Sequence, residues 1–249
     1  MSTIPFDAHY AADGTAVNNK NLAFLADPEF DAAWRRVRDI NMPYWPNGTP
    51  DVRWRMHMCV WAARHALQVP GDFVDCGVNT GLFTSMICAL TSLPISGKRA
   101  LLFDTFSGIP LERIPDDEKV TAQAWNMNIY TFDSYKVARE VFAPYPNVHL
   151  IRGILPDSLH LGRIERIAYL NVDLNGASAE IACAKALWPK LSPGAVVVLD
   201  DYAFIHHDPQ YEQWNAFAAE RGLSIASLPT GQGLILIPPR PRFRTPWAR

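Results

Sequence analysis

This sequence has little charge of either sign to spare. Its 23 basic residues stand against 25 acidic ones, a balance of -2, and 19% of the residues are charged where an average globular chain has about 25%. Such a balance lacks the electrostatic footprint of a nucleic-acid binder, and no nucleic-acid partner is expected. Long apolar runs are also missing. The longest wholly aliphatic stretch, residues 195–199, falls far short of the ~18 residues of a membrane span, so no membrane partner is expected either. The opening MSTIPFDAHY has no basic stretch leading into an apolar one, which is not the pattern of a signal peptide, and a cytoplasmic location is expected. Cysteine is scarce: Cys59, Cys76, Cys88 and Cys183 form no C-x-x-C pair and fall in apolar segments. They are expected to be buried free thiols, not a zinc cage or a disulfide frame. Glycine is short as well, 14 residues against 20 prolines, the reverse of usual usage at about 7% and 5%. Many joints of the chain must be stiff.

What is present is a chain of 249 residues, 49% of them hydrophobic, enough for one large domain or two small ones. Residues 1 to about 26 show no periodicity and are expected to form an extended arm. Asp27-Pro28-Glu29 then offers a cap, a first-turn proline and an acid near the helix dipole, and Phe30, Ala33, Trp34 and Val37 recur on one face, which predicts a helix to about residue 40. Residues 41–50 hold Pro43, Pro46, Pro50 and Gly48 and predict a stiff loop. A second helix is expected over 51–68.

Beyond Gly71 the rhythm changes. Apolar runs at 72–76, 99–104, 148–151, 167–173 and 195–199 alternate with longer segments at 80–93, 133–143, 177–190 and 209–222. Strand, crossover helix and strand in succession predict an α/β fold, a mostly parallel sheet with helices on both faces. Runs at 223–228 and 233–237 are separated by Pro229-Thr230-Gly231, a connection short enough to require an antiparallel terminal hairpin.

Ligands of such sheets bind beyond the carboxyl ends of the strands, at the point where the winding reverses. After the first run comes Asp75-Cys76-Gly77-Val78-Asn79-Thr80-Gly81, whose two glycines allow a tight turn and close approach to a ligand. It is not a dinucleotide fingerprint, because Asn79 replaces the second glycine, and a nicotinamide dehydrogenase is disfavoured. Asp104 ends the second run, where an acid can grip a ribose through its hydroxyls or merely cap the next turn. Asp173, Asp200 and Asp201 close two later runs. If those strands are neighbours, three carboxylates converge and invite a hard divalent cation; otherwise they cap their own turns. His206 and His207 follow within a few residues, as a metal-independent base or as a solvent-facing pair.

In their order, GDFVDCGVNTG at 71–81, LLFDTFSGIP at 101–110, NVHLIRGILPDSL at 147–159, NVDLNG at 171–176 and the strand ending in Asp200-Asp201-Tyr202 resemble the macrocin O-methyltransferase family. The resemblance covers about residues 50–237. It implies the Rossmann-like sheet of class I methyltransferases, S-adenosylmethionine as cofactor, magnesium as assisting cation, and a hydroxyl of a small sugar or natural product as methyl acceptor. Carried over, it places Asp75, Gly77 and Gly81 at the methionine end of the cofactor, Asp104 at its ribose, and Arg152 and Gly153 by its adenine. Cys76, Asn79, Thr80, Thr105 and Ser107 complete the implied cofactor set. Asp173, Asp200 and Asp201 would be the metal ligands, Asp173 also the general base. The family's His-x-Asp-x-Asp-x-Tyr reads Asn171, Asp173, Asn175 and Ala177 here, which bears directly on metal binding. A metal-independent methyltransferase of the same fold and a non-catalytic cofactor-binding protein stay open as alternatives.

Outside the cofactor domain, expected over 51–249, residues 1–50 are expected to cover the acceptor site. Residues 110–135 form an insertion placed to act as a lid, with Trp125, Tyr130 and Tyr135 as candidate acceptor contacts. The tail 238–249 carries Arg240, Arg242, Arg244 and Arg249 without an acid, which suits a surface-bound tail or a subunit contact in a homo-oligomer.

Overall fold

A computed structural model describes residues 8–45 and 48–239. Pro46 and the arginines of the tail lie outside them. The chain begins with a hairpin of β1 (Tyr10–Ala12) and β2 (Thr15–Val17) and a single turn, α1 (Ala23–Ala26). This corrects the expected extended arm: Asp13 and Gly14 both take positive φ, closing a two-residue turn. Next come α2 (Pro28–Asn41), α3 (Arg53–Ala66), β3 (Asp72–Cys76), α4 (Leu82–Leu90) and β4 (Ala100–Asp104). The insertion is itself helical, α5 (Asp116–Asn128), and is followed by α6 (Ser134–Phe142), β5 (Val148–Arg152), β6 (Ile167–Val172) and α7 (Ala177–Leu187). The chain closes with β7 (Leu191–Leu199), α8 (Asp208–Ala219), β8 (Ala226–Ser227) and β9 (Gly233–Leu236). Of the run at 223–228 only two residues pair as strand.

Local signals account for the helix starts. The Asp27 carboxylate accepts from the backbone N–H of Glu29 at 3.0 Å and Phe30 at 2.9 Å, and Pro28 occupies the first turn where no N–H is needed. Asp133 caps α6 through the N–H of Tyr135.

The main sheet runs β5-β4-β3-β6-β7-β9-β8, parallel from β5 to β7 and antiparallel at β9 and β8. Its strands obey the two-residue alternation of side chains. Phe73, Tyr169, Val196 and Val198 face a core shared with α2, α3, α4 and α6. Val74, Leu170, Val197 and Leu199 face the opposite core, where α7 and α8 bring Ala184, Trp214 and Phe217. Because α2 contributes Phe30, Trp34 and Val37 to the first core, it is built into the cofactor-domain fold. No helix among the described residues is long and apolar enough to cross a membrane.

Winding reverses between β3 and β6, so the crevice opens beyond their carboxyl ends. Gly77 sits there with φ +92°, and a Cβ on it would lie 1.7 Å from the carbonyl oxygen of Asp173. Gly97 also has a positive φ, +77°, but faces open space. Gly97→Ala is therefore expected to cost about 1–2 kcal/mol of backbone strain, and Gly77→Ala more than about 4 kcal/mol, because β3 and β6 must part to admit the methyl. Urea unfolding of the two variants beside the parent protein checks the contrast; equal losses would contradict it.

Candidate active site

Beyond β3, β4 and β6 lies a cavity of about 210 Å³, walled by Gly77 and Asn79, by Asp104 and Thr105, by residues 153–157, and by Asp173, Leu174 and Asn175. The insertion roofs it with Ile109, Ile114, Tyr130 and Phe132. Asp104 organises one wall. One oxygen accepts from the N–H groups of Val78 at 2.6 Å and Asn79 at 2.7 Å, the other from Phe106 at 2.6 Å. The carboxylate thus caps its own turn and also ties the glycine loop to β4. The Thr105 hydroxyl lies 3.4 Å from the second oxygen but has its proton on the Gly108 carbonyl at 2.5 Å, so of about four acceptor positions one is left for a hydroxyl donor in the cavity.

The predicted cofactor residues divide. Gly77, Asn79, Asp104, Thr105 and Gly153 line the cavity. Asp75 lies behind the loop, accepting from Thr84 Oγ1 at 2.5 Å and Asn171 Nδ2 at 2.9 Å. Burial pushes its carboxyl up to about 6, against the pull of those two bonds. Cys76 is a departure from the expected set: its thiol is buried in the opposite core beside Cys183, because strand alternation turns it away from the crevice. Thr80 is fully buried with its hydroxyl unpartnered, and Gly81, φ +90°, passes against the Phe142 ring. Ser107 and Arg152 are exposed, and the Arg152 guanidinium turns to Asp133 at 3.3 Å instead of to the cavity.

Parallel pairing of β6 and β7 brings Asp173, Asp200 and Asp201 together, with one oxygen of each within 4.8 Å of the others. They are unequal. Asp200 accepts from Arg55 Nη1 and from Gln232 Nε2 at 3.0 Å. Asp173 meets Asn175 Nδ2 at 3.3 Å, whereas Asp201 Oδ2 is buried without a hydrogen-bond partner. Burial and the neighbouring acids hold the Asp173 carboxyl well above the ordinary range, and burial with Asp200 pushes that of Asp201 up to about 7. An orphaned carboxylate oxygen among converging acids suits a hard cation.

The histidines separate as well. His206 is exposed with φ +73° and stands away from the reacting region. His207 Nδ1 lies 4.0 Å from Asp201 Oδ2 and faces the Gln210 amide at 2.9 Å. Burial lowers its imidazole pKa, and an Nδ1 that accepts from Gln210 has its lone pair engaged by that amide.

Sequence reasoning missed Arg55, Asp13, Gln232 and Glu118. Arg55 donates Nε to Asp13 at 2.7 Å and Nη2 at 3.1 Å, with Nη1 on Asp200. Burial alone would lower the pKa of its guanidinium, but Asp200 and Asp13 more than offset that and keep it charged. The signal was available: Arg55 stands four residues before Cys59, on the buried face of α3. Glu118 of the insertion accepts from Ser178 N and Oγ, both at 3.3 Å, at the first turn of α7. Tyr130 accepts from Asn175 Nδ2 at 3.0 Å, beside Asp173. Asn175 thus links the Tyr130 hydroxyl to Asp173, while Asn171 serves Asp75.

A model of the macrocin-O-methyltransferase (TylF) family matches residues 30–227. The mycinamicin III 3''-O-methyltransferase of Micromonospora griseorubida is 27% identical over 146 residues, 54% of this chain and 56% of that protein. The chain spans about half the length of the curated relative it matches. Among solved structures, the O-methyltransferase NovP superposes with a TM-score of 0.70 at 18% identity, covering 88% of this chain and 100% of that one. CalS11, a calicheamicin methyltransferase, does so at 0.63 and 18%, covering 89% and 98%. The fold is that of the class I, Rossmann-like methyltransferases.

The raised carboxyls have a thermodynamic sign. For Asp75 and Asp201 the folded state binds the proton more tightly than the unfolded chain, whose carboxyl titrates near 3.9. Their favourable contribution is present below about pH 4 and lost as pH rises through about 6 and about 7. Asp201→Asn is expected to raise the melting temperature of the ligand-free protein at pH 8, by roughly 2–4 °C for each kcal/mol recovered, and to leave it little changed at about pH 3.5, below the unfolded carboxyl's own titration. Thermal melts of both proteins across that range check it.

Proposed function

The chain belongs to the macrocin-O-methyltransferase family, and from that premise we propose that it transfers a methyl group from S-adenosylmethionine to a hydroxyl of a sugar or sugar-bearing natural product, assisted by a divalent cation. The observation that carries this reading is one cavity with Asp104 and the Gly77 loop on one wall and Asp173 on the other. Cofactor and acceptor can then meet without crossing the sheet. The family match and the name of the curated relative support the acceptor class.

Gly77, Asn79 and Asp104 would hold the cofactor, with the ribose hydroxyls at Asp104 and the base against Gly153, Ile154 and Leu174. Bound there, S-adenosylmethionine supplies a methyl group already made electrophilic by its sulfonium. Asp173 is placed to take the acceptor's proton, and the residues of the roof orient that hydroxyl and exclude water. An aliphatic hydroxyl ionises far too weakly near pH 7, and a divalent cation would favour its loss of the proton. Asp173 and Asp201 offer that cation free carboxylate oxygens. Residues 8–45 would help to cover the acceptor end, since the hairpin turn reaches Arg55 through Asp13.

Magnesium chelation and Asp173→Asn are each expected to lower methyl transfer at least about 100-fold, while S-adenosylhomocysteine still raises the melting temperature. Transfer is read as the mass gain of one methyl on a panel of nucleotide sugars and glycosylated macrolides. Full activity in chelator would remove the cation, and stabilisation by NAD alone would overturn the methyltransferase reading.

A further inference from the structure

The three carboxylates at the ends of β6 and β7 are not three free ligands. Both oxygens of Asp200 meet protein donors, Arg55 Nη1 and Gln232 Nε2, and its side chain is 2% exposed. Arg55 is held from every side. Asp13 takes its Nε and Nη2, and its guanidinium carbon lies 5.6 Å from the Phe83 ring centre and 5.2 Å from that of Phe204. Releasing Asp200 to a metal would leave this buried guanidinium to Asp13, and withdrawing one partner from a buried charge is costly. Among the described residues Asp173 and Asp201 have no cationic partner of comparable closeness, and Asp201 Oδ2 has no hydrogen-bond partner. Two carboxylates are a sufficient protein contribution for magnesium, which keeps its remaining positions for water and substrate oxygens.

We propose that Arg55 acts as a resident counter-ion that keeps Asp200 out of the coordination sphere, so that Asp173 and Asp201 alone bind the divalent cation and Arg55 sets its affinity. Asp200 is then a positioning residue: it anchors Arg55 and, through it, Asp13 of the hairpin turn. The inference rests on the cation-assisted reading given above.

The test is Mn²⁺ binding to the full chain, read by calorimetry and by the loss of the free-ion paramagnetic signal, with the thermal shift by S-adenosylhomocysteine measured in parallel. Asp201→Asn is expected to abolish Mn²⁺ binding and Asp200→Asn to leave most of it. Arg55→Met is expected to tighten binding by about tenfold, because Asp200 is freed as a third ligand. Should Arg55→Met fail to fold by circular dichroism, the two aspartate variants decide the matter. The proposal falls if Asp200→Asn loses Mn²⁺ as completely as Asp201→Asn, if folded Arg55→Met binds more weakly, or if neither parent nor variant binds. A retained S-adenosylhomocysteine shift in those cases leaves the cofactor reading standing while this one fails.

Discussion

The ion pair that Arg55 makes with Asp200 and Asp13 is the interaction on which the carboxyl end of the sheet depends. A guanidinium on α3 reaches the end of β7 and the turn between β1 and β2 at once, so one buried charge sets the position of a helix, a strand end and the first hairpin. Removing Arg55 would leave two enclosed carboxylates without their cation, which is far more costly than the pair is stabilising. The arrangement also divides the neighbouring acids by role. Both oxygens of Asp200 are engaged by protein donors, whereas among the described residues Asp201 Oδ2 has none.

The cofactor end follows a separate logic, set by close backbone approach. Gly77 passes under the Asp173 carbonyl where no side chain fits, and Asp104 gathers the amides that follow it. The insertion is then brought over the cavity by polar contacts made at its two ends. Glu118 holds the first turn of α7, an electrostatically suitable place for an acid, and Asn126 exchanges bonds with Ile109 at 2.7 Å and 2.9 Å. Tyr130 comes to rest beside Asn175 and Asp173. An amide and a phenol drawn from different segments thus stand beside Asp173.

Much of this was legible along the chain. Continuous apolar runs in β3, β6 and β7 announced a sheet buried on both faces, and Asp27-Pro28-Glu29 announced α2, since both signals are local. The glycine loop and Asp104 could be paired because each directly follows a strand. The first hairpin was not foreseen, because three-residue strands are too short to show a period. Nor was α5, whose exposed face and acidic start lack an apolar stripe. Cys76 and Arg152 stand in the right segments but turn elsewhere, one by strand alternation and one toward Asp133.

The sequence by itself determined the α/β class, the order of strands and helices, and the residues at the strand ends, because each is encoded by period and punctuation within a few positions. Only the tertiary structure decided which acids are free. Arg55 and Asp200 are 145 residues apart, and a charge paired over that distance leaves no periodic trace. The same holds for Glu118 on Ser178 and Tyr130 on Asn175. Burial gives these contacts their strength, and burial is a property of the folded chain.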